Sequence, residues 1–238
     1  MKTDLKPINT VFSVHSVLDI KELTDAKILM NEKYGNQYSF IPPHLSYTIM
    51  PFPETNLGRG VEALTQYVNK QRSFNIQISS LKYEDKNKFF YVDIEGDMII
   101  KHHENITKLL NEFRDNHVRE KDLLRLENGD FDEISSNYIE DFGYARVFDN
   151  FKTHVTVGNF TVDNVDIEKL TKDLLSILEP VLNKKIVIDN IEGVFHTDSN
   201  NNQSEMKRIW DKVYILKQGY LSGGLLEIES EPYLPRTL

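Results

Sequence analysis

One succession of elements, a strand, a helix and then two strands, is predicted twice along this chain. The first copy has a strand over 44–50, a helix over 58–72 and strands over 74–83 and 88–94. The second copy has a strand over 154–160, a helix capped by Asp163 or Asn164, and strands over 185–195 and 212–217. From position 44 to 74 is 30 residues and from 154 to 185 is 31, so both copies have the same internal spacing. The spacing predicts two similar β-α-β-β lobes; the alternative is a coincidence within an ordinary α+β chain.

Two further elements are predicted before the first copy. Residues 8–17 alternate and are β-branched, which is typical of a strand. A helix is expected to follow Asp19, because Leu23, Lys27 and Met30 fall on one stripe, and to stop at Gly35. We therefore expect an added strand and helix to accompany the two lobes.

The segment between the copies and the tail are predicted to be additions to these lobes. A helix is expected over 102–116, and the charged segment 117–150 is expected to be an insertion or a lid. The tail over 219–238 carries one further edge strand, predicted over 225–228. No linker separates the copies into independent units, so the expectation is a single two-lobed domain over 1–238.

Composition limits the classes of function that this chain can have. Its 238 residues carry 28 Lys and Arg against 37 Asp and Glu, a net charge of −9 that opposes binding to bulk duplex nucleic acid. A local basic pocket for a small phosphorylated ligand or an RNA end remains compatible with this charge. There is no cysteine, which excludes thiol catalysis and thiolate metal sites. With no long apolar run and no apolar leader, the expectation is a cytoplasmic protein that binds no membrane.

The strand that opens each copy begins with a histidine followed two residues later by a hydroxyl. The first has the sequence His44-Leu-Ser46-Tyr and the second has His154-Val-Thr156-Val. Because residues i and i+2 of a strand point to one face, each imidazole is expected to lie beside its hydroxyl. If the lobes are related by a pseudo-twofold axis, the two pairs face each other across a cleft. Two imidazoles and two hydroxyls could then supply a base, an acid and phosphoryl-oxygen donors for cleavage of a phosphodiester.

These motifs and the order of elements resemble the 2H phosphoesterase superfamily, which contains 2′,5′-RNA ligase-like proteins and cyclic phosphodiesterases. The segments that carry the resemblance are Pro-Pro-His44-Leu-Ser-Tyr and Phe-Lys-Thr-His154-Val-Thr-Val-Gly. The resemblance extends over about 11–217 and implies an α+β fold: two pseudo-symmetric lobes of antiparallel sheet, with flanking helices, around a central cleft. The motifs are 110 residues apart, from 44 to 154, which is longer than in compact members and is attributed to the 117–150 insertion.

The resemblance implies hydrolysis of 2′,3′-cyclic phosphates at RNA ends or on related small nucleotides, with no metal and no cofactor. His44 and His154 are then the acid and the base in an order left open, and Ser46 and Thr156 bind phosphate. Two alternatives keep the same fold: a phosphodiesterase for 2′,5′-linked or cyclic oligonucleotides, and a nucleotide-binding module without turnover. A fourth hypothesis is an α+β domain with two unrelated histidines. The oligomeric state is not predicted.

Several other residues have both a functional and a structural interpretation. Arg146 and Lys152 could flank a phosphate but are expected to be solvated surface charges. Tyr144 and Phe148 could stack a nucleobase, although packing within the insertion is favoured. Tyr47 is expected in the core.

Three further histidines are also considered. His15 is expected to be structural, although its strand could place it beside the cleft. His102 and His103 are expected to be a surface pair at the start of a helix rather than metal ligands.

Overall fold

The computed structural model describes residues 4–34, 42–160, 162–197 and 214–220, and within these ranges the chain is α+β. The strands are β1 (Lys6–Ile8), β2 (Thr10–Val17), β3 (His44–Pro51), β4 (Phe74–Glu84), β5 (Phe89–Glu95), β6 (His117–Arg119), β7 (His154–Asn159), β8 (Lys185–Ile188), β9 (Asn190–Thr197) and β10 (Tyr214–Tyr220). The helices are α1 (Lys21–Tyr34), α2 (Leu57–Val68), α3 (Asp97–Asn111), α4 (Glu120–Glu127), α5 (Glu133–Phe142) and α6 (Ile167–Leu178).

Eight strands form one sheet in the order β10-β9-β2-β3-β7-β5-β4-β8, and every neighbouring pair is antiparallel. The sheet consists of two four-stranded halves, each with one motif strand at its inner edge. The halves meet where β3 and β7 pair at a single position, Leu45 opposite Val155. The predicted fold class, two lobes of antiparallel sheet with flanking helices, is confirmed.

The repeated strand-helix-strand spacing is present, but the two copies exchange strands. β4 begins at Phe74 and β8 begins at Lys185, as the spacing predicts. The hairpin β4–β5 follows the first motif strand in sequence, yet it pairs with the second motif strand, β7. Each lobe is therefore assembled from both copies.

The prediction of one continuous strand over 185–195 is wrong. The segment breaks at Asp189: β8, which precedes the break, pairs with β4 in one half, and β9, which follows it, pairs with β2 in the other. A local hydrophobic pattern cannot reveal this division, because both pieces are β-branched and apolar and only their distant partners differ.

The helices cover one face of the sheet and leave part of the other face open. Leu45 on β3 and Val155 on β7 are fully buried, and they belong to the same core as the apolar faces of α1, α2, α3 and α6. The residues on either side of each, His44 and Ser46 on β3 and His154 and Thr156 on β7, are only partly buried. Because the side-chain period of a strand is two, burial of Leu45 and Val155 turns His44, Ser46, His154 and Thr156 toward the open face.

The charged segment 117–150 builds a small cluster of its own around Val118, Leu126 and Ile139. Its first residues form β6, which pairs in parallel with β1. Gly143 closes α5 with a φ of 75°, and an added Cβ there would lie 2.6 Å from the ring of Pro51. Pro51 is the last residue of β3 and His44 is the first, so at Gly143 the segment packs at the end of β3 away from the motif.

One expectation for the C-terminal part, the edge strand over 225–228, falls outside the described residues. The last strand that can be compared is predicted over 212–217 and observed as β10, Tyr214–Tyr220. Among the helices of the described ranges, none is both long and apolar enough to cross a membrane.

Lys27 on α1 is a polar residue on the stripe that the sequence predicts for this helix. Its side chain is only 1% exposed, and its Nζ has no hydrogen-bond partner among the described residues. Burial lowers the pKa of Lys27 to about 7. A buried amine without a partner is destabilising, so Lys27 weakens the fold that its helix otherwise stabilises.

We expect Lys27→Met to raise the free energy of unfolding at pH 7 by about 1–3 kcal/mol, because it keeps the volume and removes the buried amine. The folded-state pKa of about 7 lies below the unfolded value of 10.5, so the wild type gains stability as the pH rises between these values, and the variant lacks this gain. Urea denaturation at pH 7 and pH 9.5 measures both effects.

Lys33→Met is the matched control on the same helix, because the Lys33 amine is about half exposed and should change stability by less than about 0.5 kcal/mol. Equal effects of the two substitutions would contradict the assignment of Lys27 as a buried, unpaired amine.

Candidate active site where the two halves of the sheet meet

The two motifs lie side by side on the open face of the sheet, at the junction of its halves. Leu45 opposite Val155 fixes an antiparallel register between the motif strands. One step along this register on either side sets Ser46 opposite His154 and Thr156 opposite His44. His44 and His154 are then diagonal neighbours, a relation in which Cα atoms lie roughly 7–8 Å apart. Side chains at that separation can contact one small anion from two sides.

Both motif imidazoles are held by the same local hydrogen bond. His44 Nδ1 lies 2.9 Å from the carbonyl oxygen of Pro42, and His154 Nδ1 lies 2.9 Å from that of Lys152. A carbonyl oxygen only accepts hydrogen bonds, so in each ring Nδ1 carries the proton and donates it. Nε2 is therefore the nitrogen that can take up or release a proton in both rings. The two sites repeat each other in side-chain conformation as well as in sequence.

Burial favours the neutral form of both imidazoles. Desolvation is the main cause of a His44 pKa well below 6.5, and the nearby charges of His15, Lys27 and His154 lower it further. Desolvation also lowers the pKa of His154, which the positive charges of Arg146 and Lys152 lower and the carboxylate of Asp93 raises. Since the charge of His154 acts on His44, the two rings are electrostatic neighbours.

A third imidazole, that of His15, stands next to His44. The ring centroids of His15 and His44 are 4.9 Å apart with an angle of 51° between the planes. His15 Nε2 also lies 3.4 Å from a carboxylate oxygen of Glu192, which faces it from β9. The alternating pattern of residues 8–17 predicts a strand that contains His15. The contacts of His15 with His44 and Glu192 cannot be predicted in this way, because they depend on pairings between distant segments.

β5 adds two aromatic rings and a carboxylate around His154. Phe89 and Tyr91 stack on each other with centroids 5.2 Å apart, and both meet the His154 ring edge to face at 5.9 and 5.6 Å. Asp93 is paired with His154 in the β5–β7 register. Sequence reasoning missed all three residues; the strand prediction over 88–94 contained them, but nothing local indicates that β5 pairs with β7.

An open pocket of about 340 Å³ lies beside the residues that precede β7, with Asp93, Lys152 and Thr153 in its lining. A volume of this size is at the lower end for small-molecule sites. The lining of the pocket includes both acidic and basic side chains.

The other candidates have the plainer roles that the sequence favours. The side chains of Arg146 and Lys152 are exposed and act on His154 through their charge, and the Lys152 carbonyl in addition holds the His154 ring. Phe148 packs against His103, Tyr138 and Phe142, and Arg119 lies over the ring of Tyr144.

Tyr47 is fully buried, and its hydroxyl makes a 2.7 Å hydrogen bond with Ser16. Packing within the fold accounts for all of these contacts.

The prediction that His102 and His103 form a surface pair at a helix start is wrong. α3 begins at Asp97, five residues earlier than predicted, which carries both histidines into the helix interior, where they are 0% and 1% exposed. His103 Nδ1 donates to the Tyr47 carbonyl at 2.5 Å and Nε2 accepts from the Phe148 amide at 2.8 Å, so its ring joins β3 to the segment that precedes β7. Within the described ranges no cluster of three or more His, Asp or Glu residues is arranged to hold a metal ion.

A family model described as "Protein of unknown function (DUF1045)" matches residues 58–203, which is more than half of the chain. The search of curated proteins finds no match. Among solved structures, TT0787 of Thermus thermophilus is similar with a TM-score of 0.52 and 12% identity, over 90% of this chain and 100% of that one. That score shows a shared fold.

Two further solved structures are similar at lower scores. LigT of E. coli in complex with NADP+ has a TM-score of 0.41 and 8% identity, over 83% of this chain and 92% of its own. Usb1 of Kluyveromyces marxianus has a TM-score of 0.43 and 12% identity, over 79% and 94%.

Proposed function

This chain belongs to the DUF1045 family, and we propose that it is a phosphodiesterase whose acid and base are His44 and His154. One observation carries the proposal: two His-x-Ser/Thr motifs lie on the open face of adjacent strands, and both imidazoles are held by the same Nδ1 hydrogen bond. Two unrelated structural histidines have no reason to share both a strand register and a ring anchor. The arrangement therefore favours one site over two separate residues.

The proposed reaction divides two proton transfers between the two rings. One imidazole takes a proton from water through Nε2 while the water oxygen attacks phosphorus. The other imidazole donates its Nε2 proton to the departing 2′- or 3′-oxygen as the phosphorus–oxygen bond breaks. Ser46 and Thr156 donate hydrogen bonds to a nonbridging oxygen, on which negative charge accumulates in the transition state. Exchange of one proton with solvent returns both rings to their starting states.

The proposed substrate is a 2′,3′-cyclic phosphate at an RNA end or on a small nucleotide. The stacked rings of Phe89 and Tyr91 lie beside His154 and offer an apolar surface to a nucleobase next to the phosphate. The net charge of −9 favours a short ligand over a long phosphate backbone. Since two imidazoles already supply an acid and a base, the proposed reaction needs no metal ion.

His44→Ala and His154→Ala are each expected to lower kcat for a 2′,3′-cyclic nucleotide by at least about 10²-fold, because each removes one of the two proton transfers. Ser46→Ala or Thr156→Ala removes one hydrogen bond to the phosphoryl oxygen and should cost about 10–10³-fold. Steady-state hydrolysis with and without a chelator measures these losses and tests the metal-free reaction.

His117→Ala is the control for the histidine variants, because His117 lies on β6, outside the motif strands and next to Val118 of the separate cluster. Robust activity in both motif variants would remove the proposed site. A panel that adds 2′,5′-linked and cyclic oligonucleotides identifies the preferred diester, and tight binding of all of them without product in a single turnover would replace catalysis by a binding function.

The pH dependence of kcat/KM is expected to be bell-shaped with its maximum below pH 6.5. The free enzyme needs one neutral and one protonated ring, and burial lowers the pKa of both His44 and His154 below 6.5. Rates measured from pH 4 to pH 9 on the wild type test this expectation. A flat profile, or a maximum above pH 8, would contradict acid-base catalysis by these two rings.

Tyr91→Ala is expected to raise KM for a 2′,3′-cyclic nucleotide by the loss of about 1–3 kcal/mol of stacking, with a smaller effect on kcat. Tyr91→Phe retains the ring and should behave like the wild type. Glycerol 1,2-cyclic phosphate, which has no base, should be hydrolysed equally well by all three proteins. A loss in the alanine variant that is equal for both substrates would show that Tyr91 supports His154 rather than the base.

A further inference from the structure

The two halves of the site share a motif but differ in the charged groups beside it. His44 has a second imidazole, His15, at 4.9 Å between ring centroids. His154 has a carboxylate, Asp93, opposite it on the neighbouring strand. A pseudo-symmetric pair with unlike neighbours has unlike proton affinities, and such differences determine which group acts as acid and which as base.

His15 is held in place by a buried carboxylate. The side chains of His15 and Glu192 are 11% and 3% exposed, and the register of β2 and β9 sets the two residues opposite each other. His15 Nε2 lies 3.4 Å from Glu192 Oε2, within ion-pair distance. Glu192 therefore fixes the position of the ring that stands next to His44.

The described groups that face His44 act almost entirely against its protonation. His15 faces it from β2, Lys27 acts on it from α1, and His154 acts on it from β7; each of these charges lowers the pKa of His44 further below the level set by burial. The hydrogen bond from His44 Nδ1 to the Pro42 carbonyl acts in the opposite direction and raises the pKa of His44. At His154 the carboxylate of Asp93 favours protonation, against the exposed charges of Arg146 and Lys152.

We propose that His15, held by Glu192, is a positioning residue that keeps His44 unprotonated, so that His44 is the general base and His154 the general acid. The assignment of roles rests on the proposed function, whereas the coupling between His15 and His44 does not. His15 acts through His44 and needs no contact with the substrate.

The coupling is tested by NMR titration of the histidine side chains in the full chain, without substrate. His15→Gln removes the neighbouring charge, so the midpoint of the His44 titration should move to higher pH while that of His154 stays in place. Asp93→Asn is the matched variant in the other half, and it should move the His154 midpoint to lower pH and leave His44 unchanged. An unchanged His44 midpoint in a folded His15→Gln protein would overturn the proposal.

A rescue variant separates charge from packing. His15→Lys restores a positive charge without the ring, and it should return the His44 midpoint toward the wild-type value. If His15 were only a structural residue, Lys would perturb the site at least as much as Gln. Glu192→Gln gives a second route should His15→Gln fail to fold: it removes the carboxylate that holds the His15 ring beside His44, and the His44 midpoint should shift upward by a smaller amount.

Kinetics then test the assignment of base and acid. In a profile of kcat/KM against pH, the ascending limb reports the base, His44, and the descending limb reports the acid, His154. His15→Gln should therefore move only the ascending limb, to higher pH. Asp93→Asn should move only the descending limb, to lower pH. Movement of the descending limb in His15→Gln would reverse the roles of His44 and His154. If the wild type hydrolyses no diester while the NMR midpoints shift as expected, the proposed function fails and the coupling of His15 to His44 stands.

Discussion

Burial of Leu45 and Val155 against each other determines how the rest of the site is arranged. Both side chains are fully buried in the core, and they form the single pairing through which the two halves of the sheet are joined. Because side chains alternate along a strand, burial of these two residues requires the histidine and the hydroxyl on either side of each to face away from the core. The same contact thus joins the halves and brings their polar residues together.

Much of the fold could be predicted from local patterns, whereas its long-range pairings could not. The starts of β4 at Phe74 and β8 at Lys185 follow from hydrophobic alternation. The exchange of hairpins between the copies, and the division of the predicted strand at Asp189, depend on which distant strand each segment pairs with. Neither is encoded in the local period of a sequence.

The same distinction applies to the candidate site. The motif residues were found because each motif is contiguous and recurs at an equivalent place in the repeat. Local alternation predicts the strand of His15 but not its surroundings, because its contacts with His44 and Glu192 join three strands from different parts of the chain. Asp93 was missed for the same reason, and the histidines of α3 were misjudged because that helix begins earlier than its apolar pattern indicates. The two motifs, which make the site symmetric, can therefore be recognised locally in the sequence. His15, Glu192 and Asp93, which make its two halves unequal, cannot.

A crystal structure with a nucleoside 2′-monophosphate bound tests most directly whether the two imidazoles serve one phosphate. The account predicts a single phosphate between the motifs, with Nε2 of His44 and of His154 and both hydroxyls, those of Ser46 and Thr156, within hydrogen-bond distance of its oxygens. A phosphate bound elsewhere while this face stays empty, or rings too far apart to reach one phosphate together, would contradict it.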